Sequence, residues 1–316
     1  SFIIPGLMYR SLVSVIQTAF SEPISQWFHF TPFKCIWKSA LGREQHVFDE
    51  LYSSDAWNKA HNEIQKQKRT DNCQLERVVA GLMFWSDSTH LAQFGHSSAW
   101  PIYLFFGNLS KYIHASPAPG VCHPIAFIPP QQKGHSDLLA HCKQELFHTV
   151  WNILLDDNFI KAYKNGIVVK CFDGIYRCIY PRISRESFCD MGSRVLLATI
   201  CDKGYCPCPW CIIPKSKFWQ VGWWNDIKAR VSQARTNMQD KIVVARDAIY
   251  QLGAPIKGNA FTERLSPLGF ELFPIIVVDF MHEFELGILK NVFKQLAQIL
   301  HAIAPANIAR LNEQYV

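Results

Sequence analysis

The chain has 316 residues, 49% of them hydrophobic and 18% charged, with a net charge of +6. That composition excludes an intrinsically disordered chain and allows a core large enough to need no disulfide staples. The mild basicity permits a polyanionic partner, and no apolar run approaches the length of a membrane span.

Residues 1–40 carry Phe20, Trp27, Phe28, Phe30, Phe33 and Trp37, punctuated by Pro5, Pro23 and Pro32, and predict short helices and a loop packed on a larger body. Val47, Leu51, Trp57, His61 and Ile64 predict helix over 46–68, broken near Ser53-Ser54-Asp55, with Asp55 as the N-cap of the second part. Leu75–Trp85 predicts a buried strand that ends in Ser86-Asp87-Ser88. A polar Ser-Asp at the C-terminal end of an apolar strand is where α/β folds place chemistry, and the alternative is a turn capped by Asp87. Trp100–Phe106 and Cys122–Ile128 add two strands, giving an antiparallel meander of three. Asp137–Tyr163 has helical period and ends near Asn165-Gly166, a suitable C-cap. Ile167–Cys171 and Ile175–Ile183 flank Asp173-Gly174, a hairpin signal.

After the apolar segment Val195–Cys201 comes Cys206-Pro207-Cys208-Pro209-Trp210-Cys211. The chain has 11 cysteines, and Ser1–Arg10 is no signal peptide, so a reducing intracellular compartment is expected. There the dense thiols have three readings. They are ligands for one Zn²⁺, which takes four tetrahedral N/S donors; or a Cys208-x-x-Cys211 redox pair; or a loop of buried free thiols. Residues 220–250 predict polar helix with Asp226, Lys228, Arg230 and Arg235 exposed. Phe270–Phe280 predicts a buried strand running into Asp279-x-x-His282. His282 is a candidate fourth zinc ligand, with Asp279 in reserve; the alternative is a helix start at which Asp279 is the N-cap. A final amphipathic helix lies within 291–315, and the chain reads as a piece of a longer protein.

The order β-β-β-α-β, then an insertion, then more α/β, is that of an RNase H-like fold. Strand transfer on nucleic acid needs two divalent cations about 4 Å apart, held by carboxylates. Asp87 ends the first strand, and Asp190 lies between the fourth strand and Val195–Cys201, so both are candidate ligands. Asp173 is explained by its hairpin. Ser184–Arg194 is too polar for a buried strand, so the strand before it is expected to cover Ile175–Ile183 alone.

Several stretches together carry a family resemblance. They include Leu75–Leu91, Trp100–Tyr112, Gly166–Cys171, Val195–Ile200, Cys206–Cys211, Arg264–Phe270 and Val277–Gly287. The chain resembles the Plavaka-type transposases of fungal genomes, in the Kyakuja-Dileera-Zisupton group, distant relatives of the CACTA (En/Spm) transposases. The resemblance implies a DDE transposase core of RNase H-like fold, a mixed sheet flanked by helices and interrupted by a Cys-rich, zinc-binding insertion. It implies catalytic Asp87 and Asp190 binding two Mg²⁺ or Mn²⁺, structural Zn²⁺, DNA as partner, a homo-oligomeric transposition complex, and action in the nucleus. It places the family's third acidic residue beyond Val316. The implied organisation is an aromatic-rich flank (1–74), the first part of the core (75–201), the insertion (202–262) and the core's continuation (263–316). The alternative is a non-catalytic, zinc-stabilised, DNA-binding or structural remnant of a transposase.

Overall fold

A computed structural model of the chain describes residues 6–68, 73–86, 89–90, 98–116, 118–129, 136–189, 205–236, 259–276 and 280–313. The protein divides into two compact units, 1–276 and 277–316.

The first unit is built on a mixed sheet. Its strands are β1 (Met8–Tyr9), β4 (Glu76–Ser86), β5 (Thr89–His90), β6 (Ser98–Phe106), β7 (His123–Ile128), β8 (Ile167–Lys170) and β9 (Tyr176–Cys189); β2 (Cys35–Lys38) and β3 (Glu44–Val47) form a separate hairpin. The order across the main sheet is β1-β7-β6-β4-β9-β8, with β5 beside β6. β6 pairs antiparallel with both β4 and β7, so the expected meander is present. β9 pairs parallel to β4 on its other side and antiparallel to β8. The β8–β9 turn is the Asp173-Gly174 hairpin, with Gly174 at φ +82° and the Asp173 carboxylate accepting from the Ile175 amide at 3.0 Å.

The alternation along β4 explains why the run reads as continuously apolar. Val78, Ala80, Leu82 and Phe84 join the large core, whereas Val79 joins a smaller cluster with Tyr52, Trp57, Ile64, Cys178 and Tyr180. A strand covered on both faces shows no polar alternation. The smaller cluster lies under α2 (Asp55–Lys66), and Trp57 sits so close to Gly81 that a Cβ there would come within 2.1 Å of its ring. The large core is closed by α1 (Leu12–Ser21), α4 (Ser136–Leu154) and α5 (Asp157–Asn165). The short α3 (Lys111–His114) follows β6.

Several expectations are corrected. Helix over 46–68 fails at its start, because Glu44–Val47 is a strand paired with Cys35–Lys38. The N-cap of α2 is Ser54, whose hydroxyl accepts from the Trp57 amide at 3.2 Å; Asp55 is the first helical residue. The helix expected over Asp137–Tyr163 is two, because the Asp156 carboxylate accepts from the Phe159 amide at 2.7 Å and starts α5. Gly166 closes α5 at φ +77°, with its amide donating to the Ala162 carbonyl. Within Phe270–Phe280 a 3₁₀ turn spans Phe273–Ile275 in place of a strand.

His123 is 6% exposed and its Nε2 has no hydrogen-bond partner. Burial holds its pKa below the usual 6.5, against the backbone at Gly120 and the Glu22 carboxylate, while Arg10 adds to the depression. The unfolded chain therefore takes up this proton first as pH falls. The contribution is present above about pH 6.5 and is lost as pH falls below it. The expected result is a thermal midpoint that declines between about pH 7 and 5, with a shallower decline in His123→Gln. An unchanged slope in that variant counts against the assignment.

The second unit has a π-helical stretch over Phe280–Leu289, followed by α8 (Lys290–Ile303) and α9 (Ala306–Glu313), which realise the expected amphipathic C-terminal pattern. Numbered in chain order before them are α6 (Trp224–Ser232) and α7 (Ala260–Leu265).

Candidate functional site

Two neighbouring strand ends define the first part of the site. β4 and β9 run in the same direction, with partners from Glu76↔Arg177 to Trp85↔Cys189. The register shifts between Leu82 and Phe84, so that Leu82 faces Ile183 and Phe84 faces Phe188. That irregularity absorbs the polar stretch after Ile183. The strand expected over Ile175–Ile183 instead continues to Cys189. The last residue of β4 is Ser86, whose hydroxyl donates to the Pro101 carbonyl of β6 at 2.9 Å. The next residue in the chain after each strand is an aspartate: Asp87 after Ser86, Asp190 after Cys189. Both aspartates lie outside the described residues, as do Asp279 and the side chain of His282.

The second part is the Cys knuckle. It is held to the core by Trp210, whose indole N–H donates to the Ile276 carbonyl at 3.0 Å. Its other brace is Arg235, which donates to the carbonyls of Cys206 at 2.7 Å and Cys208 at 2.9 Å. Cys211 bridges to Ala234 in antiparallel fashion. The Arg235 amide donates to the Trp210 carbonyl at 2.8 Å, and the Ile212 amide to the Gln233 carbonyl at 3.1 Å. Sequence alone placed Arg235 among exposed helical residues. Its role as a clamp has no local signal, because its partners are backbone carbonyls 27 and 29 positions away.

The thiols differ. Cys211 is 2% exposed, and burial pushes its pKa up; the Cys208 thiol beside it adds to this, while the Ile213 amide and the Arg230 guanidinium oppose it. Arg230 donates to the Cys211 sulfur at 3.6 Å and to Asp226 at 2.7 Å. The Cys206 thiol points elsewhere and donates to the Ile212 carbonyl at 3.1 Å. Among the described residues no group of three or more His, Cys, Asp or Glu side chains is placed to hold a metal. The soft thiol donors suit Zn²⁺, and Cys208 with Cys211 are already neighbours; Cys206 would have to turn from Ile212 to join them.

α6 is folded inside out relative to a soluble helix. Asp226 is 5% exposed, whereas Trp224 is 67% exposed. The expectation of an exposed Asp226 is thereby corrected: its carboxylate is held below the usual range, foremost by its hydrogen bond from Arg230. Trp210 packs on the large core, whereas Trp219, Trp223 and Trp224 face solvent.

A family model, Plavaka transposase, matches residues 5–296, nearly the whole chain. The chain belongs to the Plavaka transposase family. No curated protein matches the sequence. Membership in a transposase family points to DNA transposition, with DNA as the partner. No helix among the described residues is long and apolar enough to cross a membrane.

Proposed function

We propose that this Plavaka-family chain carries the RNase H-like core of a DDE transposase, in which Asp87 and Asp190 hold the divalent cations for DNA strand cleavage and transfer. The observation that carries the reading is the parallel pairing of β4 with β9 as far as Trp85↔Cys189. Adjacent parallel strands whose ends lie within one position of each other lead the chain out at the same edge of the sheet, and the next residue in sequence after each is an aspartate. The sheet order supports the fold: an antiparallel meander of β4, β6 and β7, then α4, α5 and β8, and then β9 paired parallel to β4.

Mg²⁺ or Mn²⁺, when bound, supplies activation of the attacking water or 3′-hydroxyl and neutralises the leaving oxygen. The chain's own part is to fix the two carboxylates. β4 is buried on both faces and β9 is clamped at its start by Arg177, which pairs with Glu76 at 2.8 Å and with Asp173 at 2.7 Å. Rigid strands keep the ligands in place better than loops do. The test is cleavage of labelled transposon-end DNA by the full chain with Mg²⁺. Nicking that stops when Mg²⁺ is chelated supports the reading; cleavage indifferent to divalent cations sinks it. The second reading, a remnant that holds its fold without chemistry, is distinguished by DNA binding with no nicking under any divalent cation. Action in the nucleus and assembly into a homo-oligomeric complex follow from the transposase reading.

We further propose that the knuckle holds a structural Zn²⁺ through Cys206, Cys208 and Cys211, completed by His282 or Asp279. Its support is the donor set: three thiols within six residues on a backbone braced by Arg235. The expected result is about one zinc per chain by mass spectrometry under native conditions, with loss of zinc in Cys208→Ser and a lowered thermal midpoint after chelation. Purified chain free of zinc, with a midpoint that chelators leave unmoved, would refute it and leave the Cys208–Cys211 thiol pair as the alternative.

A further inference from the structure

We infer that the outer face of the insertion, formed by Trp219, Trp223 and Trp224 with Lys215, Lys217 and Lys228, is a stacking surface for unpaired DNA bases. Three observations carry this. The three indoles are 67%, 58% and 67% exposed, although each adjoins helix and turn that could have buried it. Large aromatic rings held in water are rare on a surface that binds nothing. Trp219 and Trp223 meet edge to face at 5.3 Å, which leaves a flat face of one ring open beside the edge of the other.

The second observation is the charge. Residues 205–236 contain five Lys or Arg, and Asp226 is their one acidic residue. Asp226 is buried and already paired with Arg230. Arg235 is taken up by the knuckle carbonyls. The three lysines form no ion pair with a described residue, so among the described residues 205–236 their positive charge meets no unpaired carboxylate. An acidic protein surface would find the charge but not a use for three open rings. A nucleic-acid strand uses both, phosphates on the lysines and bases on the indoles.

The third observation selects the unpaired strand. Lys228 Nζ lies over the Trp224 ring at 5.0 Å, so one cation sits next to a stacking plane. Paired bases inside a duplex offer no open face to an indole, whereas a single strand or a splayed end does. The inference rests on the transposase reading only for the source of such a strand, the opened transposon end.

The test uses the full chain and fluorescence anisotropy with an oligothymidine of about 12 nucleotides, compared with a duplex of equal length. The double variant Trp219→Ala/Trp224→Ala is expected to bind the single strand about tenfold or more weakly, with duplex binding unchanged. Trp219→Phe/Trp224→Phe keeps two π faces and is expected to retain most of the affinity. Lys228→Gln is expected to lower the salt slope for the single strand by about 0.7. Unchanged single-strand affinity in the alanine variant overturns the inference. So does a phenylalanine variant that behaves like the alanine one, or a wild-type chain that binds duplex better than single strand. A wild-type chain that binds neither DNA but self-associates through this face overturns it in favour of a protein interface. Measuring nicking beside single-strand binding on the wild-type chain separates the two readings: tryptophan-dependent binding of the single strand with no nicking under any divalent cation removes the catalytic proposal and leaves this one standing.

Discussion

Replacing either Asp87 or Asp190 with alanine is expected to lower Mg²⁺-dependent strand cleavage on the order of a thousandfold, the scale of losing one preorganised group that stabilises transition-state charge. The two losses should not add. If both carboxylates serve one metal pair, removing the first disables the unit and removing the second costs little more. The check is single-turnover cleavage by the two single variants and the double variant at saturating Mg²⁺, with DNA binding measured in parallel. Independent, multiplying losses would mean that the residues act at separate places. Full activity in Asp190→Ala would mean that the strand ending at Cys189 does not carry the second carboxylate. Cys189, one position before Asp190, is paired with Trp85, two positions before Asp87, and the thousandfold figure depends on that register.

Trp151→Ala is expected to cause the largest loss of stability of any single truncation in the first unit. The side chain is fully buried on α4 and meets Phe84 of β4 at 4.9 Å, Phe261 of α7 at 4.6 Å and Phe147 at 6.1 Å. One ring thus joins the central strand, the helix after the meander and the first helix after the insertion. Removing it leaves a cavity that three separate elements would have to close. A loss of about 3–5 kcal/mol is expected, or roughly 10 °C in thermal midpoint for a unit of this size. Differential scanning calorimetry checks it. A shift of only one or two degrees would show that α7 is not part of the same cooperative core. Trp151→Phe, which keeps the contact with Phe84, should recover much of the loss.

The sheet was legible where one physical cue acted alone. β4 reads as a strand because it is apolar on both faces, and the β8–β9 hairpin reads from Asp173-Gly174, whose glycine takes the positive φ. The split between α4 and α5 was harder. Leu155 continues the apolar period, and it is the capping geometry of Asp156 that restarts the helix. The reach of β9 was illegible because its polar residues after Ile183 lie at a register shift, where alternation no longer reports which face is buried. The β2–β3 hairpin was missed because it leaves Ile36, Trp37, Leu41 and Val47 exposed, and apolar residues in such a segment read as packed helix or loop. In the knuckle, the thiols were plain in the sequence and the clamp was not. Arg235 reaches carbonyls, which every residue possesses, so nothing in the pattern singles it out.

The chain's membership in a transposase family and its strand register meet at one claim, that Asp87 and Asp190 share divalent metal. The most direct measurement is Mn²⁺ binding by electron paramagnetic resonance on the full chain with transposon-end DNA. Spin-coupled Mn²⁺ bound as a pair in wild type, and absent from Asp87→Ala and from Asp190→Ala, is the predicted result. Mn²⁺ binding that survives both substitutions unchanged would contradict the account.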